Sequence, residues 1–278
     1  MIGFTESVSQ LDQSLQTQYA AMSETLNPVI LRLDEGSLSE SELGAILGQY
    51  SILPARIIEF LSLGAERLRH WPKVKQELRR NIGEEMGSRT DKTSHYEILR
   101  NALRQEVGLN ITDSTLNAAT NRFLESVRRG LSNQPKAFVA GVIYGLEASA
   151  IPELTVVAKL INQYASFSGK NAPIDLAAMS QCVNQRSDRD MGGSLNLDTF
   201  FAIHLQDFEV GHRDGLVDSL KLYIEDSDCE SFKAGFEYLL NNMERWWSEL
   251  AKPINLSADL YREENLSSQQ EMDMLQLS

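Results

Sequence analysis

Along most of the 278-residue chain, apolar residues recur at intervals of three and four, the period of an amphipathic helix, and strand-like alternation is scarce. Proline and glycine fall mostly between these stretches, where they interrupt regular structure. The pattern predicts nine helices, at about 5–24, 28–33, 39–70, 72–87, 93–107, 114–130, 135–167, 195–225 and 228–251. Pro28, Pro72 and Pro135 open three of them, at a position where a missing N–H is not felt. Ser39 or Ser41 caps the third helix, and Pro54 should bend it; Pro152 is a second candidate bend, in the seventh. Gly130 stops the sixth, and Gly211 or Gly215 marks a break in the eighth. Between the seventh and eighth come a loop with Ser168, Gly169, Asn171 and Pro173, a small helical piece near 175–183 and a polar stretch from Gln185 to Ser194. No internal repeat or interdomain linker is visible. The expectation is one all-α helical bundle over residues 1–252, followed by a polar, acidic tail over 253–278.

Composition narrows the class of protein. Apolar residues make up 42% of the chain, enough for a sizeable core. There are 39 acidic against 26 basic residues, a formal net charge of -13, and no basic stripe offsets it. Such a surface repels phosphate, so nucleic acid and anionic lipid are poor partners. The two cysteines, Cys182 and Cys229, have no CxxC spacing and are too few for a disulfide framework, which fits a reducing cytosol. The first residues, Met1 to Glu6, lack the basic and apolar regions of a secretory leader. No uninterrupted apolar run has the length of a membrane span. The expected location is the cytoplasm.

The chain has four histidines, His70, His95, His204 and His212, and three of them lie near carboxylates in helical segments. In the helix from Pro72, Val74, Leu78 and Ile82 form an apolar stripe that Glu85 continues, so Glu85 is expected to point inward and Glu84 outward. His95 falls in the first turn of the next helix. In the run from Phe200 to His212, Leu197, Phe200 and Phe201 set an inward face that includes His204. A regular helix would place His212 about 80° and Glu209 about 140° round from His204. One residue absorbed in a π-bulge changes those spacings from eight and five to seven and four, which brings both within about 40° of His204. Gly211 is a weak point that favours such a distortion. Glu147 lies beside a third buried stripe of Val139, Val142, Ile143 and Ala150, among small neighbours, and an unpaired carboxylate there would be costly.

Singly, each of these residues has an ordinary explanation: a capping histidine, a solvated helix end, a salt-bridged glutamate, a satisfied core histidine. Jointly, the inward-facing Glu85, Glu147, His204 and His212 would each need a separate partner, whereas two metal ions would serve them all. Carboxylate and imidazole suit iron or manganese, and two carboxylate-held metals inside a helical bundle are a known arrangement. The expected ligands are Glu85, His95, Glu147, His204, Glu209 and His212. Asp207 competes with Glu209, which is favoured by its three-residue spacing to His212. Tyr144, one turn before Glu147, is a candidate catalytic group or a core residue. Glu59 is a weaker candidate for an extra ligand. Trp246, Trp247 and the cysteines read as packing.

At these residues the chain resembles the heme-oxygenase-like diiron oxidases, the superfamily around CADD, with more distant ties to the TenA and PqqC folds. The resemblance covers roughly residues 35–250. It rests on Glu84-Glu85-x-Gly87 with the later His95, on Glu147, and on the Phe200-Phe201-x-x-His204 run leading to His212. In the family, the last helix carries a carboxylate four residues and a second histidine seven residues after the first; here they come at five and eight. The resemblance implies a heme-oxygenase-like bundle of about seven core helices and a centre of two iron ions, or iron with manganese. It implies dioxygen as co-substrate, a small amino-acid-like or fatty-acid-like substrate, and a homodimer. Heme ligation is not expected, because no histidine lies in the first two helices. A TenA-like hydrolase would need a cysteine nucleophile, and a metal-free binding protein on the same scaffold is the other alternative.

Overall fold

In the computed structural model, residues 3–111, 115–177 and 196–253 are described. The small helical piece beyond residue 177, the polar stretch Gln185–Ser194, Cys182 and the tail beyond Pro253 lie outside them. The described chain is all-α, with no strand. Its helices are α1 (Phe4–Gln18), α2 (Pro28–Asp34), α3 (Glu40–Tyr50), α4 (Ile52–Arg67), α5 (Pro72–Glu85), α6 (His95–Ala102), α7 (Ala118–Ser132), α8 (Lys136–Phe167), α9 (Leu197–Ile203), α10 (Glu209–Leu220) and α11 (Cys229–Leu250).

The helix starts follow local chemistry. Ser39 and Ser94 each form a capping box with a glutamate three residues on, Glu42 and Glu97. Asn27 and Asn117 accept from the first-turn amides of α2 and α7. The stretch expected as one bent helix over 39–70 is two helices divided at Ser51. Pro54 lacks an N–H and its ring crowds the carbonyl four residues earlier, so the chain breaks one turn upstream rather than bending. Pro152, by contrast, is absorbed within the continuous α8.

α8 is the central element. It is apolar on nearly every side and packs on α11, α7, α4, α3 and α10. By length and composition it passes for a membrane span, but most of its apolar window is buried by the other helices. α8 and α11 approach closely enough that a Cβ at Gly141 would sit 1.9 Å from the Phe232 carbonyl oxygen. Only glycine fits there, and the contact fixes how α8 lies against α11. One contiguous apolar core joins residues from α1 to α11.

Two distortions position the chemistry. The chain between α9 and α10, His204–Phe208, is a π turn, the bulge that the five- and eight-residue spacings predict. The eighth predicted helix therefore changes course at His204–Phe208, not at Gly211 or Gly215. Between α5 and α6, Gly87 adopts φ +93°, and a Cβ there would meet the Thr93 carbonyl oxygen at 2.5 Å. This left-handed turn reverses the chain so that His95, at the start of α6, returns to Glu85 at the end of α5.

A candidate two-metal centre inside the bundle

Four helices and the π turn bring Glu84, Glu85, His95, Glu147, His204, Glu209 and His212 to one place. His95, His204 and His212 are each under 5% exposed, as is Glu147, so these groups meet away from water. Nδ1 of His95 lies 3.3 Å from Oε1 of Glu85 and 3.0 Å from Nε2 of His204. Nδ1 of His204 is 2.7 Å from the Phe200 carbonyl oxygen, so that nitrogen carries the proton and donates it. His204 Nε2 is then an acceptor, and the proton in its contact with His95 sits on His95 Nδ1. Burial, and next the neighbouring His95, hold the His204 pKa down at about 3. Nε2 of His95 is buried and has no hydrogen-bond partner among the described residues.

His212 organises the other half. Its Nε2 is 3.1 Å from Oε2 of Glu84, and its Nδ1 is 3.5 Å from Oε2 of Glu147 and 3.9 Å from Oε2 of Glu209. Burial pulls the His212 pKa down, but hydrogen bonds to Glu147 and Glu84 outweigh it and raise the group well above its usual range. Burial raises the Glu209 carboxyl to about 8, with the Glu85 and Glu147 charges working the same way against His212. Glu85 is held below the ordinary carboxylate range: burial pushes it up, and His95 more than reverses this. Asn81 Nδ2 donates to Oε1 of Glu147 at 2.9 Å and holds that carboxylate in place. One donor atom each from Glu85, Glu209 and His212 lie within 4.8 Å of one another, a spacing that can hold a cation.

All six expected ligands therefore meet, but two details of the sequence expectation change. Glu84, expected outward, is buried against His212. The buried face of α5 runs through Val74, Leu78 and Asn81, and Glu84 and Glu85 stand on its two flanks, about 60° and 40° from Asn81. Treating the polar Asn81 as exposed shifts the axis of that face toward Ile82 and sends Glu84 to solvent. The histidines also differ in their partners: His204 meets His95, which in turn meets Glu85, while His212 meets Glu84 and Glu147.

Tyr144 does not reach the site. Its side chain is buried between α1 and α11, packed on Phe232 and Phe236, with its hydroxyl hydrogen-bonded to Asp12. On a helix buried all round, one turn of separation does not mean a shared neighbour. Glu59 pairs with Arg128 at 2.6 Å and is no ligand here. The side chain of Asp207 lies outside the described residues, and His70 is exposed. Cys229 is buried where α11 begins and does not line the site.

Next to the cluster is a cavity of about 80 Å³, several times what one water needs. Its apolar wall includes Leu53, Ile57, Leu61, Leu99, Leu146 and Phe200, and Glu85, His95, Glu147, His204, Glu209 and His212 line it too. Sequence reasoning missed two polar groups of this wall, Tyr50 and Glu153. Glu153 is 2% exposed, accepts from Trp247 Nε1 at 2.9 Å, and is raised by burial to about 8. An acid inside the apolar run that follows Glu147, at the spacing of Leu146 and Ala150, was the available signal.

An all-α bundle that buries four carboxylates and three imidazoles beside an apolar cavity carries a candidate metal-binding cluster. Residues 5–185 and 173–253 match the family DUF3865, described as "Domain of Unknown Function with solved-structure structure". The chain belongs to this family. It is similar to a CADD-like protein of unknown function from Nostoc punctiforme PCC 73102, in two crystal structures, at 2.00 and 1.35 Å resolution. Identity is 30% in both. The first match covers 89% of this chain and 96% of that one, with a TM-score of 0.74; the second covers 89% and 94%, with 0.72. The neighbour's description agrees with the CADD resemblance. No curated protein matches the chain.

Proposed function

We propose that the protein is a non-heme oxidase or oxygenase that holds two metal ions, iron with iron or iron with manganese, and uses dioxygen to oxidise or cleave a small organic substrate. The observation that carries this reading is the His95–His204 contact beside Glu85. An unprotonated His204 Nε2, an ionised Glu85 and a His95 nitrogen with no partner among the described residues share one largely buried site. Such a site is costly unless a cation completes it. The hard carboxylate and imidazole donors, with no thiolate among the described lining residues, suit iron or manganese.

Glu85, Glu209 and His212, whose ligand atoms already converge, would hold one ion, and His95, His204 and Glu147 would complete the shell of the pair. When bound, the ions would supply the electrons and open coordination positions that dioxygen chemistry requires. The chain does the rest. The Phe200 carbonyl fixes the His204 tautomer, Glu84 orients His212, and Asn81 orients Glu147. The apolar wall from Leu53 to Leu99 keeps water away and receives the carbon skeleton of the substrate.

The test is anaerobic reconstitution of the purified chain with Fe(II), followed by metal analysis and exposure to oxygen. About two ions per chain and an oxygen-dependent absorption band are expected. Glu85→Ala and His95→Ala should each lower the bound metal. A wild-type chain that retains no metal would sink the reading.

A further inference from the structure

We infer that Glu153 is a specificity-determining residue that receives the ammonium end of a short, otherwise apolar substrate lying in the cavity with its other end toward the metal-ligand cluster. The inference rests on the proposed function for the cavity, and it names the class of substrate.

Four observations carry it. Glu153 lines the same cavity as Glu85, Glu147, His204 and His212, and among the described lining residues there is no lysine or arginine to answer it. It stands six residues beyond Glu147 on α8, about 9 Å along the helix axis, so it marks a second polar end separate from the ligand cluster. Its one hydrogen bond among the described residues comes from Trp247 to Oε1, which leaves the capacity of Oε2 unused. Tyr50 lies tilted against the same indole, at 5.8 Å between ring centroids, and lines the same cavity; its hydroxyl makes no hydrogen bond among the described residues. Beside these polar groups the cavity wall is aliphatic, with Leu53, Ile57, Leu146 and Leu154.

A carboxylate buried with so little support is a standing cost, and burial keeps it protonated up to about 8. An entering ammonium group offers the charge and the three donors that an ionised Glu153 and the Tyr50 hydroxyl can accept. A substrate carboxylate would meet a wall already rich in acids. The recognised class is thus a small aliphatic amine, amino acids with a terminal ammonium among them.

The experiment is calorimetric titration of the full chain, loaded anaerobically with Mn(II) as a redox-silent ion, with pentylamine, pentanol and pentanoate. Pentylamine should bind at least about tenfold more tightly than the other two, the worth of one charged hydrogen bond. Glu153→Gln keeps an acceptor for Trp247 and should weaken pentylamine at least about tenfold with unchanged metal content. Equal or tighter binding of pentanoate, or unchanged pentylamine affinity in Glu153→Gln, overturns the inference. Should that variant fail to fold, the ranking of the three ligands on the wild type decides alone. Metal analysis of the same samples separates the two readings. An amine preference in a chain that holds no metal would sink the two-metal centre and leave this inference standing. A loaded chain without amine preference would do the reverse.

Discussion

His212 Nε2 lies 3.1 Å from Glu84 Oε2, and this contact sets the state of the whole half-site around His212. With Nε2–H donated to Glu84, Nδ1 is the nitrogen turned toward Glu147 and Glu209. The imidazole is held protonated above its usual range, so without a cation Nδ1 carries a proton too. His212 then acts as the counter-charge for the carboxylates, a place that a metal ion would take over.

Metal uptake should therefore release protons. Both the His212 proton and the proton that Glu209 keeps up to about 8 must leave before those atoms can ligate. Because both pKa values are raised, the sites are still protonated near neutral pH, and affinity for Mn(II) should increase as the pH rises from 6 to 8. Titration in buffers of different ionisation enthalpy measures the protons released per ion. No proton release, or affinity that falls with pH, would contradict the assignment of these two ligands.

Asn81 should act on the metal without touching it. Its amide hydrogen-bonds Glu147 in a fully buried position. Asn81→Leu keeps the volume and removes the donor, and the expected loss in metal affinity is about 10- to 100-fold. Competition with a chromophoric chelator gives the number. A change below about twofold would show that Glu147 needs no such support.

Glu153 should leave a mark on stability. Its carboxyl is raised from 4.5 to about 8 by burial, so the folded chain keeps a proton there that the unfolded chain has lost. The stability linked to that proton is complete below about 4.5 and declines as the pH rises toward 8. The decline should be on the order of a few kcal/mol in the metal-free chain. Glu153→Gln has nothing to titrate, so denaturant midpoints between pH 5 and 8 should fall less steeply in that variant. Parallel curves for the two proteins would refute the raised pKa.

Tyr144 should prove structural. Tyr144→Phe removes the hydroxyl that donates to Asp12, and the expected cost is about 1 kcal/mol, that of one hydrogen bond with a charged acceptor partly open to water. Metal content and oxygen reactivity should stay at wild-type levels. A variant of wild-type stability that no longer reacts with oxygen would return Tyr144 to the active site.

Much of this protein is legible along the chain because helical periodicity is local. The three- and four-residue spacing marked most helices, and the prolines at 28, 72 and 135 marked three starts. The spacing of His204, Glu209 and His212 points to a π turn, since a regular helix cannot aim all three at one point. Residue type and helix face single out Glu85, His95, Glu147, His204, Glu209 and His212 as candidate ligands, and the fold brings all six to one cavity.

Packing around each helix settled the remainder. A stripe of apolar residues locates one buried face, but it is silent about what covers the other faces. α5 packs against both α4 and α10, and His212 of α10 meets Glu84, so Glu84 is buried where its own helix promised solvent. α8 is enclosed on every side, so Tyr144 and Glu147, one turn apart, meet different helices. The partnership of His95 with His204 joins residues 109 positions apart, and Glu153 became part of the cavity only when α3, α4 and α8 closed around it. Periodicity is a property of one segment, whereas burial and pairing belong to several segments at once, and no single stretch of chain contains them.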